Sequence, residues 1–340
     1  YKTYIKHAHW FYQKLVEPAL QDQPNIKNLL IITDGDLGHL PFETFLVEQA
    51  AKSASDYNNL HYLVNDFNIS YNYSATLWKE NIENPAPKNN GQILGVAANY
   101  EPQLGSAMVD VRLPTDQWLR EGLSPLPGAR KEVETLQEKY QGFFAFDNLA
   151  SEKMVKDKAP DFAILHFATH GILNNKRPVL SSLAFSEDND STESNFLQVH
   201  EISKMELHAD LVVLSACETG YGKFEKGNGV ASLARAFMYA GSPALIVSLW
   251  QVNDQATSEI MKNLYANLAN GMKKDEALRQ AKIQYMKKAE GISAHPAFWS
   301  PFIMMGNTEP VSIKKKGNPW SWSWSFGFVW NWRACISQKR

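Results

Sequence analysis

Two stretches that run from an apolar strand into a polar turn constrain this chain more than anything else in it: Phe162-Ala-Ile-Leu-His-Phe-Ala-Thr-His-Gly171 and Leu211-Val-Val-Leu-Ser-Ala-Cys-Glu-Thr-Gly220. Each opens on a short apolar run suited to a buried strand, passes through small residues and ends on a polar residue near glycine. That residue is His170 in the first and Cys217 in the second. A parallel sheet delivers such residues to one carboxyl edge, where open α/β sheets carry their sites. Neighbouring strands lie about 4.8 Å apart, so the two side chains can approach each other. The implied chemistry is a Cys/His dyad, in which a thiolate attacks and an imidazole takes and returns the proton, a pairing suited to acyl transfer from a peptide carbonyl. Gly171 and Cys217 also offer backbone N–H groups at a bend, the usual makings of an oxyanion hole.

The 340 residues allow a large core in one big domain or two ordinary ones, and 44% hydrophobic with 21% charged residues is the balance of a globular protein. A net charge of −2 gives no electrostatic reason to expect nucleic acid. Only Cys217 and Cys335 occur, so no disulfide framework is indicated and the expected setting is reducing and cytoplasmic. The chain opens at Tyr1 without a charged-then-apolar leader, which reads as a piece of a longer protein.

Helical spacing of Ile5, Ala8, Phe11, Tyr12, Leu15, Val16 and Ala19 predicts a lead-in helix from Tyr4 to Leu20, within a segment 1–25 that can also be the end of an upstream helical domain. Buried strands are predicted at 28–33, 92–98, 162–168, 211–214, 244–250 and 302–305, with further strands at 67–73 and 143–146. Helices are predicted at 75–83, 129–140, 152–158 with Ser151 as cap, 199–207, 230–238, 256–269 and 274–288. Asp34 to Glu43 reads as a turn entering a helix near Pro41; Asp36 and His39 there are pocket candidates or plain turn formers. A hairpin of 182–185 with 195–198 is expected over the dyad's edge, where an extended peptide can add to it. The alternation of strand and helix gives an α/β fold, a mainly parallel sheet with helices on both faces, over residues 26–308.

The glycine-rich run 221–229 lacks the Gly-Lys-Ser/Thr of a phosphate loop and the dinucleotide spacing, and reads as a loop that rearranges or is cut after Lys223 or Lys226. His166, inside its strand, reads as a core or supporting histidine, because a His166/His170 zinc site lacks the intervening glutamate and the helix. Glu218 would lower the thiolate population, so it takes a structural or pocket role. No Gly-x-Ser-x-Gly elbow is present for a serine hydrolase, and no cofactor or metal site is read. Residues 309–340 form a basic and aromatic tail in which Trp320 to Trp332 holds five of the ten tryptophans. It is too short and polar to span a bilayer, and its composition suits contact with a membrane surface.

Seven stretches, in order over about residues 28 to 306, resemble the CHAT domain, a caspase-like cysteine peptidase module of the clan that holds caspases, gingipains and separase. They are Asp34 to Glu43, Leu126-Pro-Gly-Ala-Arg-Lys-Glu132, His166 to Gly171, Leu214 to Gly220, Ser232-Leu-Ala-Arg-Ala-Phe237, Ser248-Leu-Trp250 and His295-Pro-Ala-Phe-Trp299. The resemblance implies a caspase-like fold, peptide cleavage by Cys217 with His170, and oxyanion donors at Gly171 and Cys217. It further implies that Ser248 and Trp250 wall the pocket for the residue before the cut, with Asp254 either the receptor for an Arg or Lys there or a cap of the following helix. Asp36 joins them as a substrate-binding candidate. CHAT domains commonly follow TPR or other helical repeats in bacterial proteins, so a TPR-like neighbour or regulatory partner is expected beside a protein or peptide substrate. A catalytically idle module that acts as a signalling or interaction scaffold is the alternative.

Overall fold

The computed structural model describes residues 1–50, 56–83, 89–100, 123–174, 176–187, 193–215, 224–225, 229–230, 233–250 and 254–317. In chain order these form α1 (Lys2–Leu15), α2 (Glu17–Leu20), β1 (Asn28–Ile31), α3 (Leu63–Asp66), β2 (Asn68–Tyr71), α4 (Ala75–Glu83), β3 (Ile93–Ala97), α5 (Pro127–Lys139), β4 (Gly142–Phe146) and α6 (Glu152–Lys158). There follow β5 (Ile164–Ala168), β6 (His170–Ile172), β7 (Ser182–Ala184), β8 (Phe196–Gln198), α7 (Val199–Ile202), β9 (Leu211–Leu214), β10 (Phe224–Glu225) and β11 (Gly229–Val230). The last elements are α8 (Leu233–Tyr239), β12 (Ala244–Ser248), α9 (Asp254–Leu268), α10 (Lys274–Met286), α11 (Pro296–Trp299) and β13 (Phe302–Gly306).

Eight strands make one sheet in the order β1-β2-β13-β12-β9-β5-β3-β4. Every neighbouring pair is parallel except β12 with β13. Side chains alternate between the faces of a strand, and the central strands are apolar on both, so each face needs a cover. Ile93, Ile164, Val213, Ile246 and Met304 pack with Leu136 of α5, Leu264 of α9 and Ala281 of α10. Leu94, Phe167, Leu214, Val247 and Ile303 pack with Val155 of α6, Ile202 of α7 and Phe237 of α8. The architecture is therefore the expected α/β fold, a mainly parallel sheet between two helical layers.

Several local differences from the sequence reading have physical causes. The lead-in helix is two helices, broken at Val16. Pro18 sits in the first turn of α2, where its missing N–H costs nothing, but it cannot continue α1. Ile5, Ala8, Tyr12 and Val16 are buried in the two cores, and Leu46 N donates to Ala8 O at 3.3 Å, so α1 is packed into the fold it precedes. The turn at 34–44 forms two 3-10 turns, Gly35–His39 and Phe42–Thr44, instead of a helix at Pro41. The helix predicted at 199–207 stops at Ile202, and Leu207 N donates to Ala240 O, drawing the chain away towards the end of α8. Val230 pairs with Phe224 in a two-residue ladder, so α8 begins later, at Leu233. Ser151 caps α6 as expected, its Oγ accepting from Met154 N at 3.2 Å.

Gly306 ends β13 with φ +86, and a Cβ there would lie 2.2 Å from Pro243 O, so only glycine fits. Beyond it the chain keeps to the fold: Val311 is buried, Lys314 N donates to Gly91 O at 2.8 Å, and Lys316 N donates to Lys139 O at 2.9 Å. The tryptophan-rich stretch, Lys223 and Lys226 lie outside the described residues, among which no helix is long and apolar enough to cross a membrane.

Candidate active site

β5 and β9 run parallel with His166 opposite Val213 and Phe167 opposite Leu214, and Ser215 N extends the ladder to Phe167 O at 2.9 Å. Both chains therefore leave the sheet at the same rim, as the sequence implied. Cys217 comes two residues after Ser215 and lies outside the described residues, as does Glu218. His170 is described in full.

His170 is itself a strand residue. It opens β6, which pairs antiparallel with β7, and β7 with β8, so the predicted hairpin gains a third strand. Phe185 N donates to Asn195 O and Val199 N to Ser181 O, which directs the odd-numbered residues of β7 to β8 and leaves the even-numbered ones facing β6. Gly171 opposite Leu183 is thus a pair without mutual hydrogen bonds, and its N–H points away from β7. At the next pair, the Tyr100 hydroxyl is inserted between the strands: it accepts from His170 N at 2.9 Å and donates to Ala184 O at 2.9 Å. The Tyr100 ring lies against the imidazole, with centroids 4.6 Å apart. Nε2 of His170 is 2.7 Å from Ser124 O. A carbonyl can only accept, so Nε2 carries the proton, and in the neutral ring Nδ1 is the nitrogen able to receive one.

β12 lies next to β9 and parallel to it, so the residues after it reach the same rim. Ser248 ends the strand, buried and opposite Phe302. Trp250 is half-buried and its Nε1 donates to Ala297 O at 3.1 Å. Asp254 begins α9, is exposed, and accepts from Gly128 N in the first turn of α5 at 3.2 Å. Its carboxylate thus caps a neighbouring helix, where a negative charge is favourable. Ser124 and Gly128 are four residues apart, so one segment meets both His170 and Asp254. Asp36 is placed elsewhere. β1 runs opposite to β5, and the exposed turn that carries Asp36 leaves the sheet where β5, β9 and β12 begin. The structure brings His170, Gly171, Ser248, Trp250 and Asp254 to one rim and leaves Asp36 at the other.

Gly128 explains itself at this junction. A Cβ on it would sit 2.4 Å from Asp254 Cβ and 2.8 Å from its Oδ2. Gly128→Ala is expected to push the start of α9 off α5 and to lower stability by about 1–3 kcal/mol, the usual cost of overpacking. Urea denaturation checks this, and an unchanged midpoint would mean that the two helix starts do not meet.

Beneath the rim lies a buried polar chain that sequence reading identified only in part. His166 is 0% and Glu132 4% exposed. Glu132 accepts from Ser215 Oγ through Oε2 at 3.1 Å, and its Oε1 is 3.0 Å from His166 Nε2, a close contact off the line of a straight hydrogen bond. His166 Nδ1 is 2.9 Å from the Tyr265 hydroxyl. Burial and then the nearby Glu132 hold the Tyr265 pKa well above its usual value, so the phenol keeps its proton. Tyr100, Ser124 and Tyr265 carry no sequence signal of their roles, since each acts across 46 to 99 residues of chain.

Among the described residues, Glu152, Glu193 and Glu201 are the one carboxylate group close enough to hold a metal. The Lys156 ammonium already stands 2.7, 2.7 and 2.8 Å from them, in the place a cation would take.

The CHAT domain family model matches residues 6–307 of the chain. Among curated proteins, tetratricopeptide repeat protein 28 of Homo sapiens is 24% identical over 316 residues, covering 83% of this chain and 12% of that protein. Its Mus musculus counterpart is 25% identical over 237 residues, covering 61% of this chain and 9% of that one. The chain thus spans about a tenth of the length of these relatives. Among solved structures, the Arg specific cysteine proteinase gingipain R (RgpB) superposes with a TM-score of 0.51 at 12% identity, covering 91% of this chain and 68% of that one. That likeness is one of fold.

Proposed function

Since the chain belongs to the CHAT domain family and carries its caspase-like fold, we propose that it is a cysteine endopeptidase acting through Cys217 and His170. The observation that supports this most is the placement of His170, at the carboxyl rim shared by β5 and β9, with Nδ1 left as the proton-accepting nitrogen and the adjacent Gly171 N–H turned away from β7.

In this reading the Cys217 thiol gives its proton to His170 Nδ1, and the thiolate attacks the carbonyl carbon of the scissile peptide. The oxyanion that forms accepts from the N–H groups of Gly171 and Cys217. When the carbonyl re-forms, the C–N bond breaks and the imidazolium gives its proton to the departing amine. Water, deprotonated by the same imidazole, then hydrolyses the thioester and frees Cys217. Asp254 at that rim is the receptor for an Arg or Lys before the cut, once its bond to Gly128 is exchanged for one to the substrate, and Ser248 and Trp250 wall the pocket. The tetratricopeptide repeat relatives support a repeat-type neighbouring domain or partner. The setting is cytoplasmic, with the aromatic tail resting on a membrane surface.

A second reading, an idle module used as an interaction scaffold, is favoured by one observation: His170 and Asp254 are both engaged by the 124–128 segment. The two readings separate in one experiment. The chain is incubated with an Arg-containing peptide bearing a thiol-reactive warhead, with Cys335→Ser to remove the other thiol. Labelling of Cys217 that falls at least a hundredfold in His170→Ala supports the peptidase. Labelling that is absent, or equal in both, supports the scaffold.

A further inference from the structure

A carboxylate inside an apolar helix–sheet interface is costly unless its oxygens are satisfied. α5 packs Val133 and Leu136 inward, and an apolar residue at position 132 would be the cheaper choice. Glu132 instead spans the neighbouring strands β9 and β5. Its Oε2 takes the Ser215 hydroxyl at the last rung of the β9–β5 ladder, and its Oε1 lies against His166 of β5. The proton positions agree along the whole chain. Tyr265 O–H donates to His166 Nδ1, which leaves the His166 proton on Nε2 facing Glu132, while the Ser215 hydroxyl donates to the other carboxylate oxygen.

The position of this chain matters as much as its chemistry. Ser215 is two residues before Cys217, and His166 is four before His170. α5 supplies the carboxylate and α9 supplies Tyr265, both from the helical layer on one face of the sheet, and the carboxylate reaches side chains of both strands.

We infer that Glu132 is a positioning residue that fixes the exit of β9 against the exit of β5, and so sets the separation of Cys217 and His170. Its catalytic consequence rests on the peptidase reading above; the geometric claim does not. A displacement of about 1 Å between reacting groups costs on the order of a hundredfold in rate, so a lost tie reads out as lost turnover, not lost binding.

Two arms test it. In a Cys335→Ser background, a short bismaleimide is used to join Cys217 to the thiol introduced by His170→Cys, and the linked peptides are measured by mass spectrometry. The cross-linking rate is expected to fall about tenfold in Glu132→Gln and at least threefold in Ser215→Ala, and to return in Ser215→Thr, which keeps the hydroxyl. Ser215→Ala leaves the buried Glu132–His166 contact in place, so it serves should Glu132→Gln unfold. In the second arm, with His170 intact, kcat on an Arg-containing peptide falls in step with the cross-linking rate while KM stays within twofold. Equal cross-linking in all four backgrounds overturns the inference, and so does the absence of any cross-link in the parent. If the His170→Cys parent links as expected but the chain with His170 intact turns over no peptide, the peptidase reading fails and the positioning role stands.

Discussion

Glu43→Ala is expected to destabilise the domain by about 3–5 kcal/mol, while Glu43→Leu combined with Lys282→Met recovers most of that loss. The cause is a fully buried ion pair. Lys282 Nζ lies 2.9 Å from Glu43 Oε1, the Tyr71 hydroxyl donates to Oε2 at 2.5 Å, and Phe42 N donates to the Tyr71 oxygen at 2.8 Å. Burial depresses the Lys282 pKa and Glu43 opposes that. Removing the carboxylate alone strands an ammonium and a phenol without an acceptor, whereas removing both charges also removes the desolvation they cost. Urea unfolding of the wild type, Glu43→Leu, Lys282→Met and the double variant measures the coupling, with Glu43→Ala alongside. A single variant that loses less than about 1 kcal/mol would show that the pair contributes nothing.

The second large effect depends on pH. Lys274 is 2% exposed, and burial lowers its pKa from 10.5 to about 8 against the pull of Asp210, Glu309 and Asp275. Between those values the unfolded chain holds a proton that the folded chain has released. Stability therefore rises as pH climbs from about 8 to 10.5, and the gain is lost as pH falls through 8. The shift corresponds to about 3 kcal/mol at neutral pH. With Lys274→Met as the reference, so that other groups cancel, the wild type should gain about 3 kcal/mol on the variant between pH 7 and 10.5. A difference that stays flat with pH would show that Lys274 titrates at its ordinary value.

The fold was legible where periodicity is local. The apolar runs at 92–98, 162–168, 211–214 and 244–250 are strands because a two-sided sheet interior requires them, and α4 and α6 fall where spacing and the Ser151 cap put them. The placement of His170 at a shared rim followed from the same logic. What escaped depends on distant approach. Tyr100 enters the β6–β7 pair from a loop, Ser124 meets His170 from 46 residues away, and Glu132 looks like an ordinary charged residue on an amphipathic helix until β9 and β5 are laid beneath it. Asp36 lies apart from that rim because β12 and β13 pair antiparallel, a reversal that the strand pattern does not carry. Asp254 could be read two ways from sequence, and its partner proved to be the first turn of α5, which neither reading contained.

The reversal at β13 makes the sheet bipolar. Turns that follow β5, β9 and β12 emerge at one pole, and the turn that follows β1 emerges at the other, separated by about five residues of strand, or about 16 Å. Insertions, deletions or charge changes in 34–41 are therefore insulated from His170, and a macromolecule gripping that far pole would leave the opposite entrance unobstructed.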